Sequence, residues 1–332
     1  MLQGTVAVLV DGQALIGYVA HYTLAHGKIQ LVPSRTLALA SSEEGKVLHF
    51  DVRNDKNNRY GYDSMLMQAK IRNIEYIHPE LAIFQVAPDG WQLSPFKSGQ
   101  YVVLALPSEA PRCVGSMPEE TPEEPGKMIK RAYSIASAGT NTAYLEFYIN
   151  LVPSGALTPR LFALQPGDTV YLGSKITGMF TIDEVPAERN LLFIATGTGL
   201  APYVSMIRTH LLANPERRLC ILHGARHSWE LGYRAQLMHL QSFVENFSYH
   251  TIISRPKEEP EPWSGPHGYV SDLLDQGVMT ESWGKPYGPE HTSIFLCGNP
   301  AMIDDMIERF TGEGFTLHSK KTPGNLHAEK YW

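Results

Sequence analysis

The spacing of apolar and polar positions changes character near residue 187. From Met67 to about residue 186, the runs QAKIRNIEYI, ELAIFQVA, QYVVLAL, KRAYSIAS, AYLEFYINLV and DTVYLGS alternate or run apolar, with turns at Gly99-Gln100 and Pro166-Gly167-Asp168. A two-residue period sends successive side chains to opposite faces of a strand. Runs of this kind with little helix between them predict an antiparallel barrel. Beyond Ala187 the runs NLLFIAT, RLCILHGA, YHTIISR and SIFLCG are apolar throughout, as strands covered on both faces are. Helical patterns at Ala201–Leu212, Trp229–Leu240 and Tyr269–Gln276 separate them. Strands alternating with helices predict a doubly wound parallel sheet, which binds ligands at the carboxyl ends of its strands.

Two segments stand apart. In residues 1–63 the short β-prone runs TVAVLV, GYVAHYTL, KIQLVP and KVLHFDV lie between turn signals at Asp11-Gly12, Pro33-Ser34 and Glu44-Gly45, and 53–63 is polar. This predicts a small β unit followed by a linker. Its role is open between a docking or regulatory module and a passive addition. Pro107–Lys130 gathers Glu119, Glu120, Glu123 and Glu124 among prolines, a composition that predicts a mobile loop unable to pack. The expected organisation is 1–63, a β-rich extension; 64–186, the barrel; and 187–332, the α/β domain with a C-terminal tail.

Composition narrows the function. The 332 residues are 43% hydrophobic with a net charge of −6, enough for several cores and without the basic field that nucleic-acid binding requires. No run approaches the roughly 18 apolar residues of a membrane span, and no leader pattern opens the sequence, so a soluble, cytoplasmic protein is expected. Cys113, Cys220 and Cys297 are too few for the four thiolates of an iron–sulfur cluster.

The chemistry centres on RAYSIAS, residues 131–137. On a strand, Arg131 and Tyr133 share a face. Arg grips phosphates through a planar fork of donors, Tyr stacks on rings, and Ser134 offers a hydroxyl, a set that suits a flat, phosphorylated ligand. An ordinary strand with a core Tyr and a solvated Arg fits the same residues. GTGLAP, Gly197–Pro202, joins a strand to a helix, where glycines admit a phosphate and the helix start supplies N–H donors. HGARHSWELGYR ends the second strand with Arg226 and Arg234, and with Ser228 as a helix cap, where a NAD site would carry an acid. Arg255 ends the third strand. Cations here favour a 2′-phosphate. FLCGNPAMI puts Cys297, Gly298 and Asn299 at the end of a buried strand.

RAYS, YINLVPSGALTPRL, FIATGTGLAPYVSMI, HGARHSWELGYR, FLCGNPAMI and a terminal EKYW, in that order over roughly Ser64–Trp332, resemble the bacterial-type ferredoxin/flavodoxin–NADP(H) reductase family, here with an additional N-terminal β-rich extension. The resemblance implies FAD on the barrel and NADP(H) on the α/β domain. It implies hydride transfer from NADPH to flavin N5, and single electrons passing between the flavin and a ferredoxin or flavodoxin. Arg131, Tyr133, Ser134, Tyr148, Asn150 and Val152, with the turn Gly155-Ala156-Leu157-Thr158, fall at flavin-binding positions. Thr198, Gly199, Arg226, Arg234, Arg255, Cys297, Gly298 and Asn299 fall at nucleotide positions, with Tyr133, Ser134 and Cys297 nearest the chemistry. Trp332 would stack on the flavin, which implies FAD rather than FMN. Tyr269 stands where relatives often place another Arg, and Lys70, Arg72, Lys130 and Lys175 are candidates for carrier docking. A free-flavin or ferric reductase of the same superfamily and a non-catalytic flavin-binding redox sensor are the alternatives.

Overall fold

The computed structural model describes residues 66–119 and 121–330, together with the backbone of four strands within the first fifty residues. The chain divides into two units, Met1–Asp63 and Ser64–Trp332. In the first, β1 (Gln3–Val6), β2 (Gly17–Ala25), β3 (Lys28–Ala40) and β4 (Val47–Phe50) form an antiparallel meander in chain order. β3 runs through Pro33-Ser34, where the sequence predicts a turn. Pairing with β2 slips there instead, Ala20 facing Pro33 while Tyr18 faces Leu37. Proline brings no N–H to a ladder, and a bulge accommodates it. The linker expected at 53–63 and the turns at residues 11–12 and 44–45 lie outside the described residues.

The second unit opens with β5 (Leu66–His78), β6 (Leu81–Pro88), β7 (Tyr101–Pro107), β8 (Met128–Ser134), β9 (Leu145–Asn150) and, after the short α1 (Thr158–Leu161), β10 (Thr169–Gly173). The sheet is antiparallel, in the order β8-β7-β10-β5-β6-β9. Its two ends meet where the Ala136 N–H, just past β8, donates to the Glu146 carbonyl of β9 at 2.7 Å. Inside, Ile71, Phe84, Leu104, Ile129, Phe147 and Leu172 are fully buried, and Leu157 and Leu161 of the α1 turn join them.

The acidic segment after β7 packs, contrary to the expectation of a mobile loop. Glu119 accepts from the guanidinium groups of Arg112 and the buried Arg160. Arg112 also donates to the Pro153 and Gly155 carbonyls, and the Met117 and Cys113 N–H groups donate to Pro153 and Pro159. Local composition hides this in part, because one of the two arginines that neutralise the carboxylate, Arg160, lies in α1, 41 residues beyond Glu119. Glu123 and Glu124 stay exposed.

Then follow β11 (Asn190–Thr196), α2 (Ala201–His210), β12 (Leu219–Ala225), α3 (Arg234–Gln241), β13 (Phe247–Ile253), α4 (Val270–Asp275), α5 (Val278–Trp283), β14 (Thr292–Gly298), α6 (Pro300–Gly312) and β15 (Leu326–Lys330). The sheet is parallel, in the order β13-β12-β11-β14-β15. Strand order reverses between β11 and β14, and such reversals leave a crevice at the strand ends. Period two splits each apolar strand between two cores. Leu192, Ile194, Cys220, Leu222, Ile294 and Leu296 pack with α4, α5 and α6. Leu191, Phe193, Ala195, Ile221, Phe295 and Cys297 pack with α2 and α3, in one cluster that also takes in Leu81, Ile83, Ala136 and Tyr148 of the barrel. Barrel and sheet therefore share a core.

Polar groups stitch that shared core together. Tyr148 of β9 donates to the Glu230 carbonyl (3.0 Å) and accepts from the Gly232 N–H (2.8 Å). Tyr233 donates to Glu146 of the same strand at 2.9 Å, and Arg208 of α2 also binds Glu146. The helix expected over Trp229–Leu240 is accordingly broken. A one-turn helix, Ser228–Glu230, stops, and α3 restarts only after Tyr233, which sits at φ 60°. A Cβ on Gly232 would lie 2.3 Å from the Tyr148 hydroxyl, so only glycine allows the contact. Ser228 lies within that short turn rather than at a cap, which is His227. Replacing Tyr148 by Phe strands a buried N–H and a carbonyl, and should lower stability by about 1–3 kcal/mol in urea unfolding.

Candidate functional site

The crevice is assembled from two interlocked turns. β11 leads through the one-turn helix Gly197–Leu200 into α2, and β14 leads through Gly298 and Asn299 into α6. A Cβ on Gly199 would lie 2.3 Å from the Cys297 carbonyl, and one on Gly298, at φ 134°, would lie 2.3 Å from the Thr196 hydroxyl. The Asn299 N–H donates to that hydroxyl at 2.8 Å, while the Asn299 side chain caps α6 through the Ala301 N–H at 2.8 Å. Thr198, Gly199, Cys297, Gly298 and Asn299 are thus brought together as a backbone-lined cradle. Cys297 itself is fully buried on the barrel-facing side of the sheet.

Behind the first turn lies His223, which the sequence reading does not single out. It is fully buried, with Nε2 3.1 Å from the Gly197 carbonyl and Nδ1 2.9 Å from the Tyr249 hydroxyl. Burial pushes its pKa down to about 4, so the ring is neutral. A carbonyl only accepts, so Nε2 carries the proton and holds the turn. The continuous apolar run around His223 is the signal that a neutral, hydrogen-bonded ring sits there.

β15 is a second omission. Residues 326–330 read as part of a tail, yet they form the fifth parallel strand, with Glu329 opposite Cys297. His327 stacks on Phe295 at 4.3 Å, so Glu329, two residues on, faces the barrel side with Cys297. Its Oε2 is shut off from solvent and has no hydrogen-bond partner among the described residues. Burial pushes the carboxyl up to about 7, so it can hold or release a proton near neutrality. The alternation in Leu326-His327-Ala328-Glu329 was the available signal. Tyr331 and Trp332 lie outside the described residues.

On the barrel, β8 carries Arg131 exposed, Tyr133 half-buried and Ser134 buried. The Tyr133 ring meets Phe147 edge-on at 6.4 Å, and desolvation raises its hydroxyl pKa. Arg131 bonds the Lys130 carbonyl at 2.8 Å. Lys130, Arg131 and Ala132 are exposed in succession, unusual for mid-strand residues and consistent with a face shaped for a ligand. Asn150 is partly exposed and Val152 exposed. From Val152 to Thr158 the chain turns, held by the Thr158 hydroxyl accepting from the Val152 N–H at 3.0 Å. The N–H groups of Ala156, Leu157 and Thr158 find no acceptor among the described residues, which leaves three neighbouring donors for an anion. Tyr148 is a correction. Its hydroxyl is engaged on both sides by the Glu230–Gly232 loop and its ring is buried against Tyr233, so it positions that loop rather than touching a ligand. Lys70 bonds Thr169 at 2.8 Å and Arg72 lies over Tyr144, while Lys175 is exposed.

At the far end of the cleft, Arg226 and Arg255 are exposed and Arg234 is half-buried over Trp263 at 5.3 Å. The Arg234 Nε is buried without a hydrogen-bond partner among the described residues. Arg226 is held by Glu230, a hydrogen bond that raises its pKa. Tyr269 is exposed at the start of α4.

A barrel with a cationic, aromatic edge, joined through a common core to a parallel sheet with a glycine-lined switch point, defines a two-lobed pyridine-nucleotide oxidoreductase. Residues 193–308 match the family model described as an oxidoreductase NAD-binding domain. The flavodoxin/ferredoxin–NADP reductase of Escherichia coli (strain K12) is 33% identical over 241 residues, 72% of this chain and 88% of that protein. The ferredoxin–NADP reductase of Azotobacter vinelandii is 28% identical over 245 residues, 71% and 86% of the two chains. A solved ferredoxin NADP+ reductase from Neisseria gonorrhoeae, with bound FAD and NADP, shares the fold at a TM-score of 0.67 and 24% identity, over 80% of this chain and 99% of that one. The chain belongs to the flavodoxin/ferredoxin–NADP reductase family, and it is an oxidoreductase.

Glu329 gives a signed pH prediction. Its folded pKa, about 7, lies above the unfolded carboxylate value, so the unfolded chain ionises first and stability falls as pH rises from about 4.5 to about 7. In urea unfolding, Glu329→Gln should gain about 2–3 kcal/mol on wild type between pH 5 and pH 8, while turnover drops on the order of 10²-fold.

Proposed function

We propose that this protein moves electrons between NADPH and a ferredoxin or flavodoxin through FAD, with residues 64–186 as the flavin domain, 187–332 as the nucleotide domain and 1–63 as an extension. The observation that carries the reading is the common core of barrel and sheet, which joins Ala136, just past the edge strand β8, to the strands of the β11/β14 switch point in one apolar cluster. When bound, FAD supplies the exchange between a hydride's electron pair and two single electrons.

The residues fit that group. The three unpartnered N–H groups at Ala156–Thr158, with Gly155 opening the turn, and the Arg131 guanidinium are donors for a pyrophosphate. Tyr133 offers an aromatic edge fixed by Phe147, Ser134 a hydroxyl donor, and Asn150 and Val152 a rim. Trp332 is assigned to the flavin adenine or ring, which is what separates FAD from FMN. On the other lobe, Thr198, Gly199, Gly298 and Asn299 orient the nicotinamide end of NADPH. Cys297 fills space and excludes water, and Glu329 holds a proton beside it. Arg226, Arg234 and Arg255 take the 2′-phosphate end. Exposed Lys130, Arg72 and Lys175, with Lys70 part-engaged, offer an acidic carrier a cationic rim. A cytoplasmic setting accords with the lack of a disulfide among the described residues, and no helix among them is long and apolar enough to cross a membrane.

Two measurements test the reading. With NADPH as donor, reduced flavodoxin or ferredoxin should form with saturation kinetics and a higher kcat/KM than free flavin or ferric chelates give; saturable turnover with free flavin alone contradicts it. Arg131→Ala should weaken FAD binding by roughly 10- to 100-fold, the loss of one charge-assisted contact, as read by reconstitution of the apoprotein.

A further inference from the structure

The cationic end of the cleft is already held by carboxylates of this chain. The loop after β13 turns through Pro256–Glu258 and lays two glutamates on the donors of the opposite loop. The Ser228 N–H donates to Glu259 Oε1 at 2.7 Å, and the Ser228 hydroxyl donates to Glu259 Oε2 at 2.5 Å. Glu258 Oε2 lies 2.8 Å from His227 Nε2 and 3.6 Å from the Arg255 guanidinium. Arg226 is paired with Glu230 in turn. A backbone N–H and a hydroxyl converging on one carboxylate form the arrangement that also binds a phosphate oxygen pair.

We propose that Glu258 and Glu259 are specificity-determining residues that occupy the 2′-phosphate subsite from within, so that NADPH enters it only by displacing them. The inference rests on the reading of this loop as the 2′-phosphate end of the nucleotide site. Arg226, Arg234 and Arg255 carry three positive charges, and Glu230, Glu258 and Glu259 carry three negative ones. A dianionic phosphate thus meets no net attraction until the two loop glutamates swing away. Each carboxylate–phosphate pair left at about 4 Å in water weakens binding by roughly fivefold. A 2′-hydroxyl suffers no such penalty and can donate to a carboxylate, as it does in sites built for NAD. The glutamates thus narrow the preference for NADPH that the arginines alone would create. Glu259 is part-buried and doubly bonded, and Glu258 is exposed, so the segment can leave without unpacking the core.

The test uses the full-length holoprotein and two probes, adenosine 2′,5′-bisphosphate and 5′-AMP, titrated calorimetrically into wild type, Glu258→Gln, Glu259→Gln and the double variant. Glutamine keeps the shape and one acceptor oxygen for Ser228 while removing the charge. The double variant should bind adenosine 2′,5′-bisphosphate roughly 25-fold more tightly than wild type, each single change should give part of the gain, and 5′-AMP affinity should move by less than about twofold. An unchanged or weakened affinity for the bisphosphate, with 5′-AMP still bound, overturns the proposal while leaving the nucleotide site intact. Failure of wild type and variants alike to bind either probe overturns the placement of the nucleotide, and the proposal with it.

Discussion

Everything in the unit Ser64–Trp332 hangs on one packing arrangement, the single apolar core that barrel and parallel sheet build together. Leu81 and Ile83 of β6, Ala136 beyond β8 and Tyr148 of β9 enter the same cluster as Phe193, Tyr203, Phe295 and Cys297. Burial on that scale, at roughly 25 cal/mol per Å², outweighs any of the polar contacts beside it. Those contacts give direction instead. Glu146 and Tyr148, on one strand, fix the Glu230–Tyr233 loop through three of its groups, and that loop runs between Arg226 and Arg234 at the far end of the cleft. A strand of the flavin lobe therefore orients the nucleotide lobe.

That arrangement explains why the site tolerates groups that ought to destabilise it. The Glu329 Oε2 and the Arg234 Nε are buried without a hydrogen-bond partner among the described residues, and Tyr233 is held at φ 60°. Each carries a cost of about 1–3 kcal/mol, and all three cluster near the β11/β14 switch point or the cationic loop. Stability is surrendered where chemistry or recognition needs an unsatisfied group, and the shared core makes good the loss.

Much of the fold was legible in the sequence because periodicity survives locally. The six barrel runs and the four strands after residue 187 correspond to β5–β10 and β11–β14, since their patterns of alternation and apolar continuity are set by which faces are covered. What escaped was non-local. β15 follows a long loop and is only five residues, so it read as a tail. The Trp229–Leu240 helix is broken by a glycine whose reason lies on β9, 84 residues away in sequence. The acidic segment is anchored by Arg160, 41 residues beyond Glu119, and Tyr148, placed at a flavin position by the family resemblance, has its partners across the lobe boundary, which are invisible in the chain. The local structure around the motif residues, Arg131 to Ser134, Thr198 to Gly199 and Cys297 to Asn299, was readable because glycines, a strand end and a helix start are written next to one another.

The central claim, that barrel and sheet are one cooperative body, is tested most directly by native-state hydrogen exchange under increasing urea. Amides of β6 and β9, such as Ile83 and Tyr148, should lose protection at the same urea concentration as those of β11 and β14, such as Phe193 and Phe295, with one common opening free energy. Barrel amides that exchange at lower urea while the parallel sheet stays protected would contradict it.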